Sequence, residues 1–378
     1  MLVGGPAMIY GICGLAAAHQ HSMRGRLNSG YVECESDIEL LDILYYKGKI
    51  LSELQRCLVG EVMCEPSGLV AAVGLIAMEI LCGNKEELRL HMQGLEALLR
   101  VRGGWLDVPA NVSYVWLVST YIAAVWTNSV PPSAPSLSPE LLIHTEELKR
   151  RKAPAISKDM MSNYTKVGAS LDPELQKLIV SVRDLIIYRE ICHAQPEPLS
   201  AEQTEQITAL RLNVEYRIMF RLFSHAPYIP GDPSDKIQTT RSQKAVLASL
   251  LIFSLTSMMI LKHSSAPIRN LAKVLKTNLP SMDSTPSAIF PPALEIILWT
   301  LFLGAHITLD SDDDGGGSRG WYISRINRVA ELLGLRRWET VKSALERCFY
   351  VERIYGVSFR GIWNGVLLER EKVLKGLV

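Results

Sequence analysis

The spacing of apolar residues restricts the fold of this chain more than any other feature. It recurs at intervals of three and four along nearly the whole length. Residues 45–59 place Tyr46, Ile50, Leu51, Leu54, Cys57 and Leu58 on a helical repeat. Residues 172–187 do the same with Leu175, Leu178, Ile179, Val182, Leu185 and Ile186. No stretch shows the sustained alternation, bounded by Asn-Gly or Asp-Gly turns, that marks paired strands. The pattern predicts an all-α protein, a large multi-helical domain built as one array or as two helical lobes.

Turn residues divide the array. VPPSAPSLSPE, residues 130–140, is a Pro/Ser-rich break, and the chain stays polar to about Gly168. The expected organisation is an N-terminal helical lobe over 1–130, a Pro/Ser-rich and basic loop over 131–168, and a C-terminal lobe over 169–378. Pro280–Pro292 and the run DSDDDGGGSRG, residues 310–320, read as further loops, with three more helical stretches after Trp321.

Four runs, 69–82, 114–126, 245–261 and 293–309, are apolar enough to be weighed as membrane spans. They fall short of the ~20 residues a span needs. Glu79, Glu295 and His306 interrupt two of them, and Ser249, Ser254, Thr256 and Ser257 dilute a third. Buried helices account for all four without placing charge in lipid, and with 48% apolar residues the chain has ample material for them. The start, MLVGGPAMIYGICGLAAAHQ, resembles a signal peptide in its small and apolar residues, but no positive charge precedes the run. It reads as a first core helix, or as a start part-way into a domain.

The chemistry-bearing residues are scattered. Seven cysteines, at 13, 34, 57, 64, 82, 192 and 348, form no Cys-x-x-Cys pair, which argues for free thiols in a reducing compartment. The eight histidines make no His-Glu-x-x-His or His/Cys metal spacing. Asp310, Asp312, Asp313 and Asp314 raise a rival reading, a magnesium-dependent α-helical enzyme of specialised metabolism. That chemistry needs a second metal-binding segment, and three glycines directly after the run make a poor cage, so no metal, cofactor or catalytic residue is expected. Forty basic residues balance thirty-nine acidic ones, leaving no global electrostatic footprint for nucleic acid. Lys149, Arg150, Arg151 and Lys152 form a local basic cluster that suits a nuclear-import signal.

Residues 83–104 carry the clearest helix punctuation. Gly83 stops one helix and Asn84 caps the next, with Glu87 three residues later in a capping-box pattern. Leu88, Met92, Leu95, Leu98 and Leu99 line one stripe while Arg89, Gln93, Glu96 and Arg100 face away. Gly103 and Gly104 supply the left-handed residue that ends such a helix, and Arg100 and Arg102 suit its negative end. Gly94, without a side chain, is expected to admit a neighbouring helix closely, and His91, one turn earlier, to hydrogen-bond across that contact.

GLVAAVGLIAMEILCGNKEELRLHMQGLEALLRVRGGW, residues 68–105, resembles the signature region of the fungal-specific transcription factor domain, the regulatory region of fungal zinc-cluster regulators. The resemblance rests on Glu79, Gly83, His91, Gly94-Leu95, Leu98-Leu99 and Arg102-Gly103-Gly104. GLAAAH at 14–19, YYKGKILSELQRCL at 45–58, and ILWTLFLGAHIT with Trp299 are similar to further family helices in the family's order. So are Arg319-Gly-Trp321 and the aromatics Trp338, Phe349 and Trp363. The resemblance implies a nuclear, non-catalytic regulator of transcription. Such a regulator acts through other transcription regulators, self-association or a small-molecule effector, and not in a membrane. A zinc cluster needs two Cys-x-x-Cys-x6-Cys runs, which these residues do not contain, so direct specific DNA binding is not expected of this chain.

Overall fold

A computed structural model describes residues 6–24, 36–59, 66–82, 84–102, 110–131, 160–167, 172–194, 200–224, 241–258, 265–279, 291–308 and 317–375. The chain is all-α: fourteen helices and no strand occur among the described residues. It divides into two compact units, Met1–Thr127 and Asn128–Val378.

The first unit holds α1 (Pro6–Arg24), α2 (Ser36–Val59), α3 (Pro66–Cys82), α4 (Lys85–Arg102) and α5 (Ala110–Thr127). Apolar residues surround α3 on every side, and it packs against all four other helices. A helix of that composition is stable only inside a core. Ala71, Leu75 and Met78 of α3 meet Ala7 and Ala18 of α1 and Ile43 and Ile50 of α2. Small residues let α1 and α3 approach closely: a Cβ on Gly14 would lie 2.7 Å from the Met78 sulfur. The apolar residues 6–24 thus form a core helix.

Asn84 caps α4, its Oδ1 accepting from the Glu87 N–H at 3.2 Å. The rest of the capping-box expectation gives way, because the Glu87 carboxylate turns to Lys47 on α2 instead. An ammonium with a second carboxylate beside it outcompetes a neutral amide for the same oxygen.

The second unit holds α6 (Ser162–Val167), α7 (Pro173–Ala194), α8 (Ala201–Phe223), α9 (Arg241–Met258) and α10 (Ala266–Asn278). After these come α11 (Pro291–Ile307), α12 (Gly317–Leu332), α13 (Trp338–Glu346) and α14 (Glu352–Leu374). Asp172 starts α7, its carboxylate accepting from the N–H groups of Glu174 at 2.7 Å and Leu175 at 3.2 Å. The core is aromatic. Phe253 of α9 lies 6.0 Å from the Trp299 ring of α11 and 5.7 Å from Phe349. Trp299 donates its indole N–H to the Phe349 carbonyl at 2.5 Å. Gly334, at φ +67°, closes α12 with its N–H on Glu331 and the Leu335 N–H on Ala330, the paired bonds of a left-handed C-cap.

Two details depart from the sequence expectation. Helix α6 lies inside the stretch 131–168 expected as loop, with Asn163 and Tyr164 buried. Its hold is tertiary: Asn163 donates to Glu295 at 2.5 Å and Tyr164 packs 5.3 Å from Phe349. Helix α12 begins at Gly317, within the expected loop 310–320. Of the four apolar runs, none forms a helix long and apolar enough to cross a membrane among the described residues.

Candidate functional site

The signature residues gather where α2, α3 and α4 meet. Glu79 is buried on α3, and its Oε1 lies 2.5 Å from the Lys47 ammonium and 3.7 Å from His91 Nε2. Burial opposes ionisation of Glu79, but His91 and Lys47 together outweigh it and hold the carboxyl below the usual carboxylate range. Lys47 also binds Glu87, so one ammonium bridges two carboxylates from different helices. The His91 contact is too long for a hydrogen bond and attracts only when the imidazole is protonated.

Glu79, Glu87 and His91 bring three ligand atoms within 4.8 Å of one another, close enough for one metal ion. The Lys47 ammonium already supplies the positive charge between the carboxylates, and a divalent ion would have to displace it. The cluster therefore works as a clamp that fixes α2 and α4 on α3.

Beside the clamp lies an apolar pocket of ≈ 330 Å³. Its walls are Leu51 and Leu54 of α2 and Leu90, Leu98 and Val101 of α4, over a floor of Ala72 and Leu75. Gly94 lines it too, and a Cβ there would meet nothing within 4 Å. This corrects the expectation that Gly94 admits a packed neighbouring helix: its missing side chain enlarges an open pocket. Leu95, one residue on, faces the core and is buried. Leu90 and Val101 remain 55% and 63% exposed at the rim. Leu51, expected in the core stripe, is 43% exposed, because the buried face of α2 centres on Ile43 and Ile50.

The remaining signature residues separate. Arg102 is the last residue of α4, while Gly103 and Gly104 lie outside the described residues. Trp299 is fully buried in the second unit, where it serves the aromatic core. Trp321 is half-buried, flanked by Arg325 at 4.6 Å and Lys276 at 5.3 Å over its ring. Lys149, Arg150, Arg151, Lys152 and Asp310–Asp314 lie outside the described residues.

Ion pairs and hydrogen bonds of the second unit serve its packing. Arg347 grips Glu295 with two N–H groups at 2.6 and 2.8 Å, and Arg353 holds Glu190 at 2.7 Å. His306 shares a 2.5 Å hydrogen bond with Ser358, edge-on to Tyr355 and Phe359. Burial pushes the Cys348 thiol up to about 12, which suppresses its thiolate.

A family model for the fungal specific transcription factor domain matches residues 1–348. The chain belongs to that family. The family is regulatory, and the role of this chain is accordingly a regulatory, non-catalytic one. The clamp and pocket residues, which fall between Lys47 and Val101, lie inside the matched span, as does Trp338. Phe349 and Trp363 fall beyond it yet are buried in the second unit's core. No curated protein and no solved structure matches the chain.

Sequence reasoning picks out Glu79 and His91 but misses Lys47, the ammonium that Glu79 shares with Glu87. Lys47 stands on α2 and its carboxylates on α3 and α4, and spacing along one helix does not show which residues of another it meets. The pocket was missed for a related reason. On α4, Leu90, Ala97 and Val101 form a second apolar sector, across the helix from the buried Leu88, Leu95 and Leu99.

Proposed function

We propose that this chain regulates transcription in the nucleus by contacting other proteins through the α2–α4 face of its first unit, without reading DNA sequence itself. The observation that carries the reading is the pocket beside the Lys47 clamp: rigidly held walls, an apolar lining and large aliphatic side chains exposed at the rim. Such a groove between helices suits aliphatic anchors from a partner helix. Its volume also suits a small apolar molecule, and an effector of that kind would compete with protein docking.

Nuclear action follows the family's role in transcription, with Lys149–Lys152 as the import signal. The balanced charge, 40 basic against 39 acidic residues, argues against affinity for duplex through phosphate contacts alone.

Selection of purified chain against a randomised duplex pool tests the DNA half of the reading. It should enrich no motif, and a reproducible enriched motif would refute it. A fluorescent fusion should concentrate in the nucleus and lose that concentration when residues 149–152 are all replaced by Ala.

A further inference from the structure

Arg189, on α7, is a half-buried guanidinium that forms no ion pair among the described residues. Its Nη1 is sealed from solvent and has no hydrogen-bond partner. The carboxylate beside it in the chain, Glu190, is buried and already committed. Arg353 of α14 donates to it from Nη2 at 2.7 Å and from Nε at 3.4 Å. Glu352, the neighbour of Arg353, is held by Lys342 at 2.8 Å and by the Tyr350 hydroxyl. Neither acid is left for Arg189.

A third basic group joins the two guanidiniums. His193 stands one turn beyond Arg189 on the same face of α7 and is exposed. Burial, then Arg353 and Arg189, push the His193 imidazole below its usual range, with Glu190 opposing them. Burial and then Arg353 push Arg189 down as well. The two guanidiniums are therefore close enough to repel each other. Arg189 and Arg353 against Glu190 leave one net positive charge, and protonation of His193 would make it two.

An unpaired charge in partly dry surroundings is costly, and a folded protein that keeps one has a use for it. Arginine forks suit the oxygens of phosphate, and the donors here come from two helices. A carboxylate offers two oxygens in one plane. A phosphate monoester offers three in a tetrahedral array, and its charge of about −1.5 to −2 answers the surplus on these side chains.

We infer that Arg189, Arg353 and His193 form a binding site for a phosphate monoester where α7 and α14 meet. Arg189 supplies the uncommitted guanidinium that takes the phosphate oxygens. His193 donates from the exposed side, and Arg353 occupies Glu190 while adding its own charge. The site is built wholly from the second unit and does not depend on the reading of the α2–α4 face. A small metabolite or a phosphorylated side chain of another protein would present the same chemistry.

Thermal unfolding of the full chain in rising inorganic phosphate, against sodium chloride of equal ionic strength, gives the test. Phosphate should raise the wild-type midpoint by several degrees and saturate, where chloride does not. Arg189→Gln should start no lower than the wild type, because it removes an unpaired charge, and should lose most of the phosphate shift. Arg100→Gln, at an exposed position of α4, should keep the shift in full. If Arg189→Gln does not fold, labelling of the wild type with an arginine-selective dicarbonyl decides alone. Phosphate should then slow the labelling of Arg189 several-fold and leave that of Arg100 unchanged. No midpoint shift beyond that of chloride, a full shift in Arg189→Gln, or unchanged labelling of Arg189 would overturn the site. Titration with O-phosphoserine and with a pool of phosphoserine peptides separates the two sources. Equal affinity assigns a small molecule, tighter binding of the peptides assigns a phosphorylated protein, and either keeps the site.

Discussion

Gly304 and Glu79 show how much a single position can hold. Gly304 faces the buried Tyr322 ring so closely that a methyl group would run into it, while the Tyr322 hydroxyl is held by the Ala272 carbonyl at 3.3 Å. The ring cannot yield without breaking that bond. Gly304→Ala should therefore destabilise the fold by ~1–3 kcal/mol, the usual cost of overpacking, readable as a lower urea midpoint with unchanged slope. Glu79 has the opposite character, a buried charge that is satisfied. Its carboxyl is held low in the folded state, so its contribution is present above the unfolded carboxylate range and is lost as pH falls through the lowered folded value. Glu79→Gln should cost ~1–3 kcal/mol at neutral pH, and the gap to wild type should close in acid. Denaturation at pH 7 and near pH 3 checks both points. Glu79 and His91 were legible from the sequence as marked positions, but their partner Lys47 was not. The pairing spans two helices, and spacing along one helix carries no information about the next.

At the scale of elements, the helices themselves were plainly written. The stripes at 175–186 and 88–99 became α7 and α4, and the all-round apolar run 69–82 became the central α3. Asn84 was legible because capping is local chemistry, three residues in reach. Asn84→Ala should cost about 1 kcal/mol, seen as a small fall in midpoint without loss of the helix at low temperature. Helix α6 was not legible, because its six residues are held by Glu295 and Phe349, more than a hundred positions away. The two apolar sectors of α4 were only half read. The sector of Leu88, Leu95 and Leu99 declared itself by its regularity. The sector of Leu90, Gly94 and Val101 was passed over because a glycine and a histidine interrupt it. That second sector is the one that makes the pocket. Where a helix shows more apolar surface than its own unit covers, the surplus marks a contact, and α2 shows the same surplus in Leu40, Leu44 and Leu51.

At the scale of the molecule, two helical units hold their elements together with ion pairs. Lys47 with Glu79 and Glu87 serves the first, and Arg347 with Glu295 and Arg353 with Glu190 serve the second. What the first unit presents outward is an apolar face beside the Lys47 ion pairs, which suits recognition of protein. Membership of the family places that face in a regulator of transcription. The most direct test tethers the chain to an unrelated DNA-binding domain upstream of a reporter gene. It compares the wild type with Leu90→Glu/Val101→Glu, two exposed rim positions whose substitution should leave folding intact. The wild type should shift reporter transcription several-fold from the tether alone, and the double variant, at equal abundance and helicity, should lose most of that shift. Equal output from both would contradict the claim that this protein works through the α2–α4 face.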